Sequence, residues 1–237
     1  MRKKQICLIA ALLMACSTAM GQVYSGEQKF DGEHKHEVSG YLQGGQNVVI
    51  GGFGGPAAFY KHHFTQRWDL EGGLYLPFGH NRYGMYARGS YRLPIRNQNL
   101  YFMGKMMYNR YQQANSNEYA YNLSVKWEHR YVDILLGITL VDYSLLGSHY
   151  FEKPAVTAGV GVNLRPRENR WNLGLFIRNY DDFYYDNWNI NWGIRYYCTI
   201  KNRLRNFGEL NIRPAGSLSQ LATKYEASIK TGLIYTW

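Results

Sequence analysis

Three residues within one short stretch, Asp142, Ser144 and His149, are of the types that can act as nucleophile, base and orienting group. Their spacing matches no motif of a known family, and serine and histidine are common in loops. A hydrolase acting on lipids or peptides is therefore an alternative hypothesis for the function. The sequence does not favour an enzyme over a binding or transport protein.

Residues 180–188 form a second cluster, in which aromatic side chains alternate with carboxylates. Such a cluster could bind a sugar, or Asp181, Asp182 and Asp186 could share a calcium ion. The favoured interpretation is a solvated loop tip. His34 and His36 could bind a metal weakly, but a solvated N-terminal tail is favoured there. The sequence thus predicts no metal site and no cofactor.

Charged residues also recur at alternate positions opposite apolar ones, which predicts a charged interior. The bases are Lys61, Arg67, Arg88, Arg92, Lys105, Lys126, Arg178, Arg195, Arg205 and Lys230, and the acids are Asp69, Glu71, Glu128, Asp133, Glu209 and Glu226. A ring of bases raises the local concentration of anions. We therefore expect a set of anion-binding residues: Arg88, Arg92, Lys105, Arg178 and Arg195. The alternative is that bases and acids pair across strands and fill the interior.

The elements that hold these residues are predicted to be long β-strands. Apolar and polar residues alternate with period two in twelve blocks, and helical periodicity is missing. The blocks cover about 35–44, 48–64, 67–76, 83–93, 99–112, 118–129, 131–144, 154–164, 170–181, 187–199, 203–213 and 224–237. A strand in a soluble protein has about five or six residues, whereas one that crosses a membrane needs about nine to eleven.

Two further patterns agree with membrane-spanning strands. Short connections alternate with longer ones along the chain, and twelve is an even number, as in bacterial outer-membrane barrels. The apolar faces predict lipid contact for Ile134, Leu173, Trp192 and Leu233, and aromatic residues gather at the ends of these faces. Leu136 should face lipid and Thr139 the interior.

The N-terminus has the three parts of a secretory signal peptide. Arg2, Lys3 and Lys4 precede a short apolar stretch, and small residues then predict cleavage after Gly21. Residues 13–16 also resemble a lipoprotein processing box with Cys16 as the lipidated residue. Cleavage after Gly21 leaves Cys198 as the only cysteine, so no intramolecular disulfide can form.

The C-terminal segment 224–237 alternates strictly and ends at Trp237. It resembles the C-terminal assembly signal of bacterial outer-membrane β-barrels, and the alternating pattern of the whole mature chain is similar to that class. The resemblance implies an all-β, single-chain antiparallel transmembrane β-barrel over residues 35–237, after a short periplasmic segment at 22–34. Both termini should be periplasmic, and the strand that ends at Trp237 should engage the barrel-assembly machinery.

A narrow porin-like channel or an anion-binding barrel is the leading functional hypothesis. Its expected partners are outer-membrane lipid and small solutes. The alternatives are an enzyme at the barrel rim or a plugged structural barrel. The net charge of +10 does not indicate nucleic-acid binding, because the outer membrane offers no such partner.

Overall fold

The computed structural model describes residues 35–47, 51–76, 78, 82–96, 98–112, 115–145, 148–166, 169–185, 190–201, 203–214 and 225–237. The predicted signal peptide, its cleavage site, Cys16 and the segment 22–34 lie outside these residues. Within the described ranges, no helix is long and apolar enough to cross a membrane.

All regular elements in the described ranges are β-strands. They are β1 (His36–Asn47), β2 (Gly51–His63), β3 (Trp68–Tyr75), β4 (Arg82–Ile95), β5 (Gln98–Tyr111), β6 (Ser116–Glu128), β7 (Val132–Leu145), β8 (Ser148–Phe151), β9 (Ala155–Asn163), β10 (Trp171–Arg178), β11 (Tyr180–Asp181), β12 (Tyr184–Tyr185), β13 (Asn191–Lys201), β14 (Leu204–Pro214) and β15 (Tyr225–Thr236). Twelve of them form the wall of one closed antiparallel barrel. The exceptions are the short strands β8, β11 and β12.

The barrel closes where β1 pairs with β15. The two strands are in register from Glu37 opposite Thr236 to Asn47 opposite Glu226. Beyond this ladder, the backbone N–H groups of His36 and Trp237 each donate to the other's carbonyl at 3.0 Å. Closure is required in lipid because an open sheet edge would leave backbone groups without hydrogen-bond partners.

The predicted strand positions are confirmed to within four residues at each end. The first and last described residues, Lys35 and Trp237, lie at one end of the barrel, together with the connections β2–β3, β4–β5, β6–β7, β9–β10 and β13–β14. We call this end the terminal rim and the opposite end the loop rim. The short strands β8, β11 and β12 belong to loop-rim connections and were not predicted.

The two faces of the wall are inverted relative to a soluble protein. Leu136 is 58% exposed on the outside, whereas Thr139, three residues further along β7, is 1% exposed on the inside. Trp192 and Leu233 are exposed on the outer face, and Ile134 and Leu173 are half-buried there, as predicted. An apolar outer band around a polar interior is the pattern that a membrane barrel requires.

Candidate functional site

The interior of the barrel contains part of a loop. Strands β11 and β12, of two residues each, pair only with each other. They form a hairpin, which we call the inward hairpin (residues 180–185). Asp181, Asp182 and Phe183 are at most 4% exposed. The expectation that this segment is a solvated loop tip was wrong, because its carboxylates and its central aromatic ring find partners on the inner wall.

Phe183 anchors the inward hairpin through aromatic contacts. Its ring centroid lies 5.7 Å from that of Phe59, 5.5 Å from Tyr75 and 5.4 Å from Tyr86. Gly84 leaves room for the ring, since a Cβ at that position would lie 2.9 Å from it. These contacts bury the ring almost completely, so the hairpin is held by packing as well as by charge.

The backbone of the hairpin is also held by side chains of the wall. Asn109 Nδ2 donates to the carbonyl oxygen of Phe183 at 2.9 Å, and Lys105 Nζ donates to the carbonyl oxygen of Asp182. Both wall residues lie on β5. The turn of the hairpin is therefore fixed against one strand of the barrel.

The carboxylates of the hairpin meet two buried bases. Lys230 Nζ donates to Asp181 and lies 3.3 Å from Asp182 Oδ2, while Arg178 Nη2 lies 3.3 Å from Asp181 Oδ1. Burial alone would raise the pKa of Asp181, but the charges of Lys230 and Arg178 outweigh it and lower the pKa to about 2. Glu209 contacts the same two bases.

The five predicted anion-binding residues all lie on the inner face, but they do not form one ring. Arg88 pairs with Glu71 at 2.8 Å, Arg195 pairs with Asp133 at 2.8 Å, and Arg178 pairs with Glu209. The alternative of cross-strand pairing therefore describes these three bases. Arg92 is half-buried on the inner side of β4.

Lys105 contacts both an aromatic ring and the inward hairpin. Its Nζ lies 4.2 Å from the centre of the Tyr86 ring, and its hydrogen bond goes to the hairpin. Lys105 is also directly opposite Arg88 in the β4–β5 register. Like charges in that position repel, and Glu71 and the hairpin relieve the repulsion.

The predicted placement of Arg67 inside the barrel was wrong. It lies in the exposed turn 64–67, because β2 ends at His63 and β3 begins only at Trp68. Further interior charges, which were not predicted, alternate correctly but fall near strand ends or in the hairpin. They are Glu37, Glu118, Asp181, Asp182 and Arg213.

Among the described interior side chains, the charges balance when the hairpin is included. Among the described side chains that are buried or half-buried on the inner wall, ten are basic: Lys61, Arg88, Arg92, Lys105, Lys126, Arg178, Arg195, Arg205, Arg213 and Lys230. Eight are acidic: Glu37, Asp69, Glu71, Glu118, Glu128, Asp133, Glu209 and Glu226. Asp181 and Asp182 supply the two missing negative charges.

A cavity of about 60 Å³ open to water lies between the inward hairpin and the inner face of β4–β6. This is room for a handful of water molecules. Its lining combines three bases with aromatic and hydroxyl groups: Arg88, Lys105, Lys126, Tyr86, Tyr101, Tyr185, Ser90 and Ser124. Asp181 and Asp182 line its other side. The cavity can therefore hold a small polar solute that offers acceptor oxygens to the bases.

The remaining candidate sites are less complete. His149 Nδ1 lies 3.4 Å from Asp142 Oδ2, and Ser144 is directly opposite His149 in the β7–β8 register. These residues lie on the outer side of the loop rim, away from the cavity, and within the described ranges no hydrogen bond joins Ser144 to His149. The arrangement lacks the link between base and nucleophile that a triad needs.

Neither proposed metal site is formed by described residues. Asp181 and Asp182 are engaged by Lys230, and Asp186 lies outside the described residues, as does His34. In the part of the chain that the structure describes, no group of three His, Cys, Asp or Glu side chains could hold a metal ion.

The closed twelve-strand wall with its apolar exterior and charged interior is the fold of bacterial outer-membrane porins. The KdgM porin in complex with disordered oligogalacturonate is similar over 85% of this chain and 99% of its own, with a TM-score of 0.57 and 8% identity. The NanC porin is similar over 84% and 100%, with a TM-score of 0.54 and 11% identity.

An outer membrane channel from Pseudomonas putida F1 is similar over 93% of this chain and 98% of its own, with a TM-score of 0.57 and 11% identity. No protein-family model matches the sequence, and no curated protein matches it. At these identities, the likeness establishes the fold alone.

Proposed function

We propose that this protein is a narrow porin-like channel of the bacterial outer membrane that passes small anionic solutes. The observation that carries the proposal is the water-accessible cavity inside a closed barrel, with Arg88, Lys105 and Lys126 on its wall. A field inside low-dielectric walls is screened less than one on an open surface, so these bases concentrate anions.

The structure of the channel wall supports a narrow pore. Eight strands enclose only side chains, whereas sixteen enclose a wide aqueous channel; this barrel has twelve. The KdgM structure contains oligogalacturonate, a carboxylate-bearing sugar, which is the class of solute that a basic cavity would accept.

We further infer that a signal peptide is removed after Gly21 during export and that both termini of the mature chain are periplasmic. The short turns lie at the terminal rim, and in bacterial outer-membrane barrels the short turns are periplasmic. The strand β15, which ends next to Trp237, would then present its alternating apolar face to the assembly machinery.

A plugged structural barrel is the second candidate function. It is favoured by the inward hairpin and by the ion pairs of Arg88, Arg178 and Arg195. The two candidates differ in ionic current, because a barrel that remains plugged conducts nothing.

The experiment is recording in planar bilayers under a salt gradient. The proposal expects a reversal potential that favours anions, and the double variant Arg88→Gln/Lys105→Gln should weaken that preference. Arg67→Gln is the matched control, since it removes a base from the exposed turn without altering the interior. Cation preference in the unmodified protein would contradict the proposal, and absence of current would favour the plugged barrel.

A further inference from the structure

We propose that Lys230 and Arg178 form a buried binding site for a compact dianion, such as a small dicarboxylate, and that Asp181 and Asp182 occupy this site in the resting channel. The inference rests on the proposed function, because the dianion would be a solute of the channel. Its binding would release the inward hairpin and widen the lumen.

Lys230 and Arg178 are both buried, and both contact Asp181. Lys230 is 0% exposed and contacts carboxylates of two consecutive residues, Asp181 and Asp182. Arg178 is 1% exposed and contacts Asp181. Beside the wall carboxylate of Glu209, the hairpin thus adds two carboxylates held a few atoms apart, which is the arrangement that a small dicarboxylate also presents.

Within the described residues, part of the hydrogen-bonding capacity of Arg178 is unused. Its Nε and Nη1 atoms are buried and have no hydrogen-bond partner among the described residues. A guanidinium can donate five hydrogen bonds in a planar fork that suits carboxylates. The hairpin therefore leaves donors free, and a ligand with more accessible oxygens than Asp181 offers could use them.

The net charge of the described inner wall also favours a dianion. Without the hairpin, the described inner wall has ten bases and eight acids, so the ligand that restores balance carries two negative charges. Leaving a buried charge without its partner is strongly destabilising. The hairpin should consequently remain docked until an anion replaces its carboxylates.

The hairpin can leave the lumen without opening the barrel. Its strands β11 and β12 form no ladder with any wall strand. It belongs to the loop-rim connection between β10 and β13. Among the described residues, its release breaks side-chain contacts and the side-chain-to-backbone bonds from Lys105 and Asn109, but no strand ladder of the wall. A tethered segment competes at an effective concentration in the millimolar range, so the free dianion must reach at least that concentration.

The test is bilayer recording of the reconstituted full-length mature protein with succinate and acetate at equal ionic strength and neutral pH. We expect succinate, but not acetate, to increase the current in a saturable way. In Asp181→Asn/Asp182→Asn the current should be high without succinate, and the saturable response should disappear. Glu152→Gln, which removes an acid from another loop-rim connection, should behave as the unmodified protein.

A second variant keeps the test informative if the double substitution prevents folding. Phe183→Ala removes the aromatic anchor but keeps both carboxylates and both bases, so half-maximal opening should need about a hundredfold less succinate. Equal responses to succinate and acetate in a conducting channel would overturn the dianion site and leave the proposed function intact. Absence of current in the unmodified protein and in both variants would overturn the proposed function itself.

Discussion

Replacement of Phe183 by alanine should shift the inward hairpin towards its released state. The ring is 2% exposed and packs against Phe59, Tyr75 and Tyr86 at centroid distances of 5.4 to 5.7 Å. Truncation of a buried phenylalanine to alanine costs about 3–5 kcal/mol. The ratio of docked to released hairpin should therefore fall by roughly two to four orders of magnitude.

Limited proteolysis of the reconstituted protein measures this ratio, because the hairpin contains tyrosines on both sides of Phe183. A protease that cleaves after aromatic residues should cut the variant within residues 180–185 and leave the unmodified protein intact there. Phe102→Ala is the matched control, since Phe102 is 45% exposed on the outer face. Equal resistance of Phe183→Ala and Phe102→Ala, with the barrel folded in both, would refute the anchoring role of the ring.

Three further predictions concern the wall and the pH dependence. Leu136→Arg should destabilise the assembled barrel by about 2–4 kcal/mol because it places a charge in lipid, while Ser124→Arg, on the cavity wall, should assemble. The folding yields of the two variants in lipid vesicles test this difference. Equal yields would contradict our assignment of the inner and outer faces. Gly232→Ala should prevent closure of the barrel, since a Cβ there would lie 1.8 Å from a carbonyl oxygen of β1. Gly44→Ala, where a Cβ has open space, should leave the melting temperature unchanged. Similar melting temperatures of the two variants would contradict the β1–β15 seam. The pKa of Asp181 is lowered from 3.8 to about 2, so its ionised carboxylate contributes about 2 kcal/mol to docking of the hairpin. This contribution is complete above pH 4 and is lost as the pH falls towards 2. Release of the hairpin between pH 7 and 5, detected by proteolysis, would contradict it.

Much of the wall could be predicted from the sequence because period-two alternation is a local signal. Leu136 and Thr139 fall on opposite faces by parity alone, and Trp237 ends the last alternating block. A membrane barrel enforces this parity, since a one-residue slip would turn every charged side chain towards lipid. Arg67 was misplaced because alternation does not show where a strand ends and its turn begins.

The site could be predicted only in part because its partners are distant in the chain. Arg88, Arg178 and Arg195 could be assigned to the interior, but their pairing with Glu71, Glu209 and Asp133 depends on the register and tilt of strands that the sequence does not specify. The inward hairpin was missed for a similar reason. A polar aromatic loop resembles a solvated tip until Lys230, 48 residues beyond Asp182, supplies a buried partner.

The measurement that tests the central claim most directly is the reversal potential of single channels under a salt gradient, recorded for the unmodified protein and for Asp181→Asn/Asp182→Asn. The account predicts a small anion-selective current in the unmodified protein and a larger, more strongly anion-selective current in the variant, because ten bases would then face eight wall acids. A cation-selective current in both proteins would contradict it, since the acids rather than Arg88, Lys105 and Lys230 would then control the passage of ions.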